Sequence, residues 1–472
     1  MDAIDLNKLF PVRPRHFHKD ELFDIAVIGA GVVGCAIFKA FCEEGAKTVL
    51  VEKANDILEG ASKGNSAILH TGFDAPPESL ELECVQAGYA EYMKIYKEMN
   101  LQLRPTKAMV VAWNDEQLEK LDAIQQKGFG NGVKELDLID GKQVRKLEPN
   151  LSTHAQGAII VHGESVIDAW SAPLAYVKKG IAHGGKTAFG HEITGGHYTG
   201  EYWELETTQE PIRAKVVINA AGLYGDVVEQ ISGNVDFKII PRKGQFVIFD
   251  ETAYDLIESV ILPVPTKRTK GVVITKTAFG NLLVGPTAED QESRTDSMTI
   301  EEMLEDLKQK AYAMIPALEG HGVTAAFAGL RPASDETYYR VKRSEDGSWI
   351  TVGGIRSTGL TSALGLAKHV VGLHDTRYEA NETSHTVTMP NISQFDTRDH
   401  QKAGYDRVVC HCENVTDREI REACVGEVPA GTIGGLKRRT RAMMGRCQGF
   451  NCMAAVSSIA ESEGKKSCAK KV

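Results

Sequence analysis

Short Val/Ile-rich runs alternate with amphipathic stretches from residue 24 to about 370, a G-x-G-x-x-G turn joins the first run to the first such stretch, and paired cysteines stand near the C-terminal end. Together these predict an α/β fold: a Rossmann-type domain carrying an inserted α+β domain, then a small, helical C-terminal domain. At 472 residues the chain exceeds one ordinary domain, and length alone suggests roughly two to four. Hydrophobic residues make up 42% and charged residues 25%, the balance of a soluble globular protein. No apolar run reaches the roughly 18–20 residues that cross a bilayer, and the first residues lack the basic-then-apolar order of a secretory signal. A cytoplasmic chain with no transmembrane segment is therefore expected, with peripheral membrane association and homo-oligomerisation left open. A net charge of −10 argues against nucleic acid as a partner, because binding it rests on neutralising phosphates with Lys and Arg. Nine cysteines is an odd count, and their C-terminal crowding fits a reduced compartment better than a secretory disulfide framework.

In chain order, residues 1–22 read as an irregular leader and 23–382 as the main unit. Its insertion is expected at roughly 85–150 and 235–325, where the stretch 297–315 has helical periodicity. Residues 383–405 are polar with little periodicity and read as a linker. The small domain and a basic tail, KKSCAKKV, occupy 406–472.

Within the first unit, 24–28 reads as a buried strand, 31–44 as a helix and 48–52 as a second, parallel strand. Gly29 permits the tight turn between strand and helix, Gly31 lets backbone approach a pyrophosphate, and Gly34 lets the helix pack on the strand. The helix N-terminus adds amides and partial positive charge. Glu52, ending the second strand, can accept from both ribose hydroxyls and repels a 2′-phosphate, which disfavours NADP. This motif alone does not separate FAD from NAD.

Cys410, Cys412, Cys447 and Cys452 stand as C-x-C, a gap of thirty-four residues, then C-x4-C. Four thiolates at paired turns suit an iron–sulfur cluster. Structural zinc is the competitor, although its sites usually use wider pairs at both ends. Thr416 and Glu419 form a capping box that starts a helix after the first pair. Lys437, Arg438, Arg439, Arg441 and Arg446 precede the second pair, where cations favour a more negative, reduced cluster or else form a solvated basic helix face. Cys35, Cys42 and Cys84 read as buried thiols, Cys424 as core and Cys468 as a tail thiol.

Several further segments carry a family resemblance: GASKGNSAILHTGF (60–73), VVINAAGLYGD (216–226), PRKGQF (241–246), GLRP (329–332) and GGIRSTGLT (353–361). With the glycine motif and Glu52 they cover about three-quarters of the chain. In that order they resemble the glycine/D-amino-acid oxidase superfamily, and within it the glycerol-3-phosphate dehydrogenases and L-2-hydroxyglutarate oxidases. The resemblance implies FAD, with Lys53, Ser62, Asn65, Ser66, Ala221, Gly222, Gly354, Ser357, Gly359, Leu360 and Thr361 beside it. It implies His70 as base or hydrogen-bond donor, and Arg331 and Arg356 as anion contacts. The C-terminal segment, VVCHCENVTDREIREAC to RRTRAMMGRCQGFNCMAA, resembles the bacterioferritin-associated-ferredoxin-like domain, implying a [2Fe-2S] cluster on the four paired cysteines.

The function expected is oxidation of a small anionic alcohol, best matched by sn-glycerol 3-phosphate. Electrons would leave through the cluster to a quinone or a partner redox protein. Alternatives are L-2-hydroxyglutarate or another 2-hydroxy acid, an amino acid or amine, or a non-catalytic redox carrier. Against the carrier stand the intact glycine motif, Glu52 and GLRP.

Overall fold

β1 (Leu22–Ile28), α1 (Val32–Glu43) and β2 (Thr48–Glu52) form the unit that the glycine motif predicts, with β1 and β2 parallel. Gly29 has φ +101°, and a Cβ there would sit 2.6 Å from the Ala220 carbonyl oxygen. A Cβ on Gly34 would run into the Gly29 carbonyl. Both positions therefore need glycine, one for its backbone and one for helix–strand contact. This is a computed structural model, and it describes residues 10, 17, 18, 20–233, 236–265, 271–380 and 386–469, without the side chains of 465–469. Most of the expected leader, linker residues 383–385 and the Cys468 side chain lie outside the described residues.

β1 also pairs in parallel with Ile212–Asn219, here β3. The far edge of β3 is shared: Trp203–Thr207 takes its first half, antiparallel, and Trp349–Gly353 its second half, parallel. Eight strands make this sheet. A continuous apolar core lies under α1 and the C-terminal helix of the unit, Gly359–Leu373. Leu80–Ile95, which the expected insertion cuts into, packs on that helix instead, with Gly88 and Gly365 at the crossing.

A second, nine-stranded sheet draws its strands from 108–161 and 239–334 rather than from 85–150 and 235–325. Its longest pair is β4 (Ile239–Phe249) against β5 (Val323–Ser334), antiparallel, with Arg242 opposite Arg331 and Gly244 opposite Gly329. The register thus sets PRKGQF directly beside GLRP.

The polar connector proves to be a packed strap. Val387 and Met389 join the core of the first unit, and Met389 N donates to the Met99 carbonyl at 2.9 Å. Arg398 is buried and donates to the Ile392 carbonyl at 2.7 Å and to Glu419 at 3.1 Å. Beyond it the small domain is built from a two-stranded hairpin and the helices Asp417–Val425, Ile433–Thr440 and Met453–Ala469. Phe10 is buried in its core.

The expected cap is formed. Thr416 Oγ1 accepts from Glu419 N at 3.2 Å, while Glu419 Oε2 accepts from Thr416 N at 2.9 Å. Thr416→Ala is expected to cost the small domain about 1–2 kcal/mol. Loss of visible absorbance during urea unfolding, at a lower midpoint than in the parent, checks this. Among the described residues no helix is long and apolar enough to cross a membrane.

Candidate active site

A cavity of about 1140 Å³ opens between the two sheets and runs from the glycine turn to Arg331. It exceeds the roughly 300–1,000 Å³ of an ordinary small-molecule site, leaving room for a dinucleotide and a small substrate together. At its first end, Glu52 Oε2 accepts from Ala30 N at 2.7 Å and Oε1 from Ala54 N at 2.9 Å. Burial pushes the Glu52 carboxyl up, and these two amides offset part of that. The carboxylate thus braces the turn, and its remaining lone pairs are free for ribose hydroxyls. Ser62 Oγ accepts from Val32 N at 3.0 Å at the start of α1. Asn219, in VVINAAG, donates to the Gly225 carbonyl at 2.8 Å and accepts from Ala221 N at 3.3 Å, which fixes the turn over Gly29.

Gly29, Gly31, Glu52, Lys53, Ser62, Asn65, Ser66, Ala221, Gly222, Gly354, Ser357, Gly359 and Leu360 all line the cavity. Gly34 and Thr361 do not. Thr361 is turned inward: its Oγ1 accepts from His70 N at 3.0 Å and donates to the Ile68 carbonyl at 3.4 Å. Its place is in holding the strand before His70, from the first turn of the helix Gly359–Leu373. The residues present fit FAD: a glycine cradle, a terminal carboxylate and two helix N-termini on the cavity lining.

Midway along the wall, His70 Nδ1 lies 2.8 Å from Glu164 Oε2. The Glu164 side chain is fully buried, and its Oε1 accepts from Thr71 N at 2.7 Å and Thr71 Oγ1 at 2.9 Å. A carboxylate at Nδ1 sets the tautomer, so Nδ1 carries the proton and Nε2 is the basic nitrogen.

At the far end Arg331 donates to the Thr287 carbonyl at 2.8 Å. Among the described residues it has no ion pair. Gly244 makes the space its guanidinium fills, since a Cβ there would collide with Nη2. Burial, with the Arg242 charge opposite, lowers the Arg331 pKa to about 10, still a cation at neutral pH. Like charges directly opposite on paired strands are unfavourable, and Asp290 bonds only Arg242, through a two-bond pair at 2.6 and 3.0 Å, while Glu289 and Asp290 act on Arg331 without contact. Arg356 donates to the Thr337 carbonyl at 3.3 Å and has no ion pair among the described residues. The Asp290 carboxyl is held below its usual range, first by Arg242 and also by Arg331 and Arg356.

In the small domain the four paired cysteines lie within electrostatic reach of one another, Cys412 of Cys447 and Cys410, and Cys452 of Cys410 and Cys447. Four thiols gathered in one place are the donor set that a two-iron cluster takes. Backbone amides, that of Asn451 foremost, lower the Cys447 pKa, whereas burial raises that of Cys452 to about 12.

The basic run divides its work differently from the expectation. Lys437 lies within electrostatic reach of Cys452. Arg439 makes a two-bond pair with the fully buried Asp56, at 2.7 and 2.9 Å, and Arg438 bonds Glu59 at 2.5 Å. Arg446 pairs with Asp250. Arg438 and Arg439 clamp the small domain onto loop 56–60, whose Glu59 and Gly60 line the cavity, and Arg446 reaches the inserted sheet instead. They are consumed by docking because carboxylates from the main unit reach them.

Sequence reasoning missed Glu164, Arg242, Thr287 and the Asp56 clamp. Glu164 stands 94 residues from His70 with no motif of its own. Arg242 was in view within PRKGQF, but only the β4–β5 register gives it meaning.

A family profile described as "FAD dependent oxidoreductase" matches residues 24–373, and one described as "BFD-like [2Fe-2S] binding domain" matches 408–462. A glycerol 3-phosphate dehydrogenase of Caloramator mitchellensis is 30% identical over 93% of this chain and 94% of its own length. A glycerol 3-phosphate oxidase of Mycoplasma pneumoniae is 27% identical over 75% of this chain and 94% of its own length. In fold, the chain is similar to the L-alpha-glycerophosphate oxidase of Mycoplasma pneumoniae solved with FAD bound, with a TM-score of 0.75 at 24% identity, covering 79% of this chain and all of that one.

Proposed function

The chain belongs to the FAD dependent oxidoreductase family, with FAD and a [2Fe-2S] cluster as its cofactors, and from that premise we propose that it dehydrogenates sn-glycerol 3-phosphate to dihydroxyacetone phosphate. The observation that carries this reading is a cavity wall with two arginines, Arg331 and Arg356, that have no ion pair among the described residues, in one chamber with the His70–Glu164 pair. A recessed cation without a partner is costly until an anion meets it. A phosphate monoester presents a dianion with oxygens for two guanidinium forks. An α-amino acid satisfies one arginine and brings an ammonium of its own.

When bound, FAD supplies the hydride acceptor. Arg331 and Arg356 hold the phosphate and fix the reach of the carbinol carbon along the cavity. His70 takes the hydroxyl proton at Nε2, and Glu164 holds the ring and stabilises the imidazolium that forms. Thr361 and Thr71 keep that pair in register. Electrons then leave through the small domain to a quinone or a partner redox protein. The name of the Caloramator relative supports the same substrate.

Anaerobic mixing tests the reading. Glycerol 3-phosphate is expected to bleach the flavin band, and L-2-hydroxyglutarate and neutral amino acids are expected to leave it. Bleaching by the hydroxy acid alone moves the substrate to the 2-hydroxy dicarboxylates, and bleaching by an amino acid alone removes the phosphate assignment.

A further inference from the structure

Besides the charge pairs that hold the small domain to the rest of the chain, one contact is not accounted for by charge pairing across that boundary. It is a file of rings. Trp170 Nε1 donates to the carbonyl of Lys63, a cavity-wall residue, at 3.2 Å. The Trp170 ring stacks on Phe279, centroids 5.2 Å apart and planes 12° from parallel. Phe279 is 8% exposed at the tip of a hairpin from the inserted sheet. The Arg441 guanidinium also lies over the Phe279 ring, 4.2 Å from its centroid. Arg441 in turn makes a two-bond pair with Glu413, at 3.0 and 2.9 Å, and Glu413 follows Cys412 directly in sequence.

Lys63, Trp170, Phe279, Arg441 and Glu413 thus form an unbroken file of contacts from the cavity wall to the residue that follows Cys412. Arg441 is placed by the end of the helix Ile433–Thr440, whose last residue it follows with φ +71° and its N–H on the Lys437 carbonyl. Asp168 fixes the other end, accepting from Trp170 N at 2.9 Å and Ser171 N at 3.2 Å.

We propose that the Trp170–Phe279 stack, seated by Arg441, is the bridge along which electrons pass from the flavin cavity to the four-cysteine site. The inference rests on the two-cofactor reading above. Oxidation of the alcohol to the carbonyl releases two electrons and two protons. One proton goes to His70, and the other travels with the hydride and returns to solvent as the electrons depart. The electrons cross the bridge singly, and each is taken from the cluster by one equivalent of a one-electron acceptor such as ferricyanide. Electron transfer falls steeply with any gap in packing, so Trp170 and Phe279 are positioning residues for that step and not for hydride removal.

The holoenzyme tests this without reference to substrate. A laser pulse with deazariboflavin and EDTA places one electron on the flavin, and the decay of that signal into the cluster band is followed. Trp170→Ala and Phe279→Ala are each expected to slow that transfer by about tenfold or more. Both should leave the EPR signal of the dithionite-reduced cluster and the rate of flavin bleaching by substrate unchanged. Trp170→Phe, which keeps a ring on Phe279, is expected to retain the parent rate. Unchanged transfer in both alanine variants overturns the bridge, and so does equal slowing in Trp170→Phe. Failure of glycerol 3-phosphate to bleach the flavin, with these rates as expected, overturns the substrate reading and leaves the bridge standing.

Discussion

Arg331→Ala is expected to lower kcat/KM for glycerol 3-phosphate by roughly 30- to 5,000-fold, the equivalent of about 2–5 kcal/mol for truncating one partner of a buried charge pair. The size follows from where the guanidinium sits. It is recessed behind Gly244, fixed by the Thr287 carbonyl, and has no carboxylate of its own among the described residues. Its charge is therefore unspent until the substrate anion arrives. Arg242 does not replace it, because both its bonds go to Asp290. Arg331→Lys is expected to recover little, since an ammonium cannot present two parallel donors. FAD release on acid precipitation should match the parent in both variants, as the hydrogen bond of Arg331 goes to the Thr287 carbonyl and not to the glycine turn. Steady-state kinetics check the prediction, and kinetics equal to the parent for every anionic alcohol tried would remove the arginine from the site.

How much of this was legible in the sequence depends on range. The glycine turn and the thiol pairs were readable because each is a local device whose parts lie within a few residues. The capping box of Thr416 and Glu419 was readable for the same reason. Family resemblance supplied His70, Arg331 and Arg356, and the structure gathers all three on one cavity wall. Their partners were not legible. Glu164 reaches His70, and Asp56 reaches Arg439, across long separations in single buried contacts that leave no periodic trace. Thr361 was misplaced because a motif gives a segment, whereas the direction of a side chain within a helical turn decides whether it meets the cavity or the strand behind it. The strap after residue 385 did carry a signal: Val387, Met389 and Ile392 are apolar positions in a polar stretch, and all three are buried. Its few apolar residues were outweighed by the many polar ones that face solvent.

Cys447→Ser is expected to remove the iron–sulfur EPR signal, leave FAD bound, and cut turnover with an acceptor served by the cluster by roughly 100-fold, the lower end of what tethering two partners provides. The flavin would still be reduced by substrate, since His70 and Arg331 lie in a different unit from the thiol. Its electrons would then leave only by collision, with oxygen or a dye that enters the cavity. A point substitution is the better test than removing the small domain. Deletion would strip Arg439 and Arg438 from Asp56 and Glu59, taking the cation from a fully buried carboxylate on the loop that lines the cavity. Such a loss destabilises strongly, so a truncated chain would confuse lost electron exit with a deformed flavin site. In the cysteine variant that clamp is untouched. Peroxide formation gives the second reading: the parent should produce little with oxygen as sole acceptor. Oxygen turnover in the parent as fast as with any dye would make the chain an oxidase, and stoichiometric zinc in place of iron would end the electron-exit reading altogether.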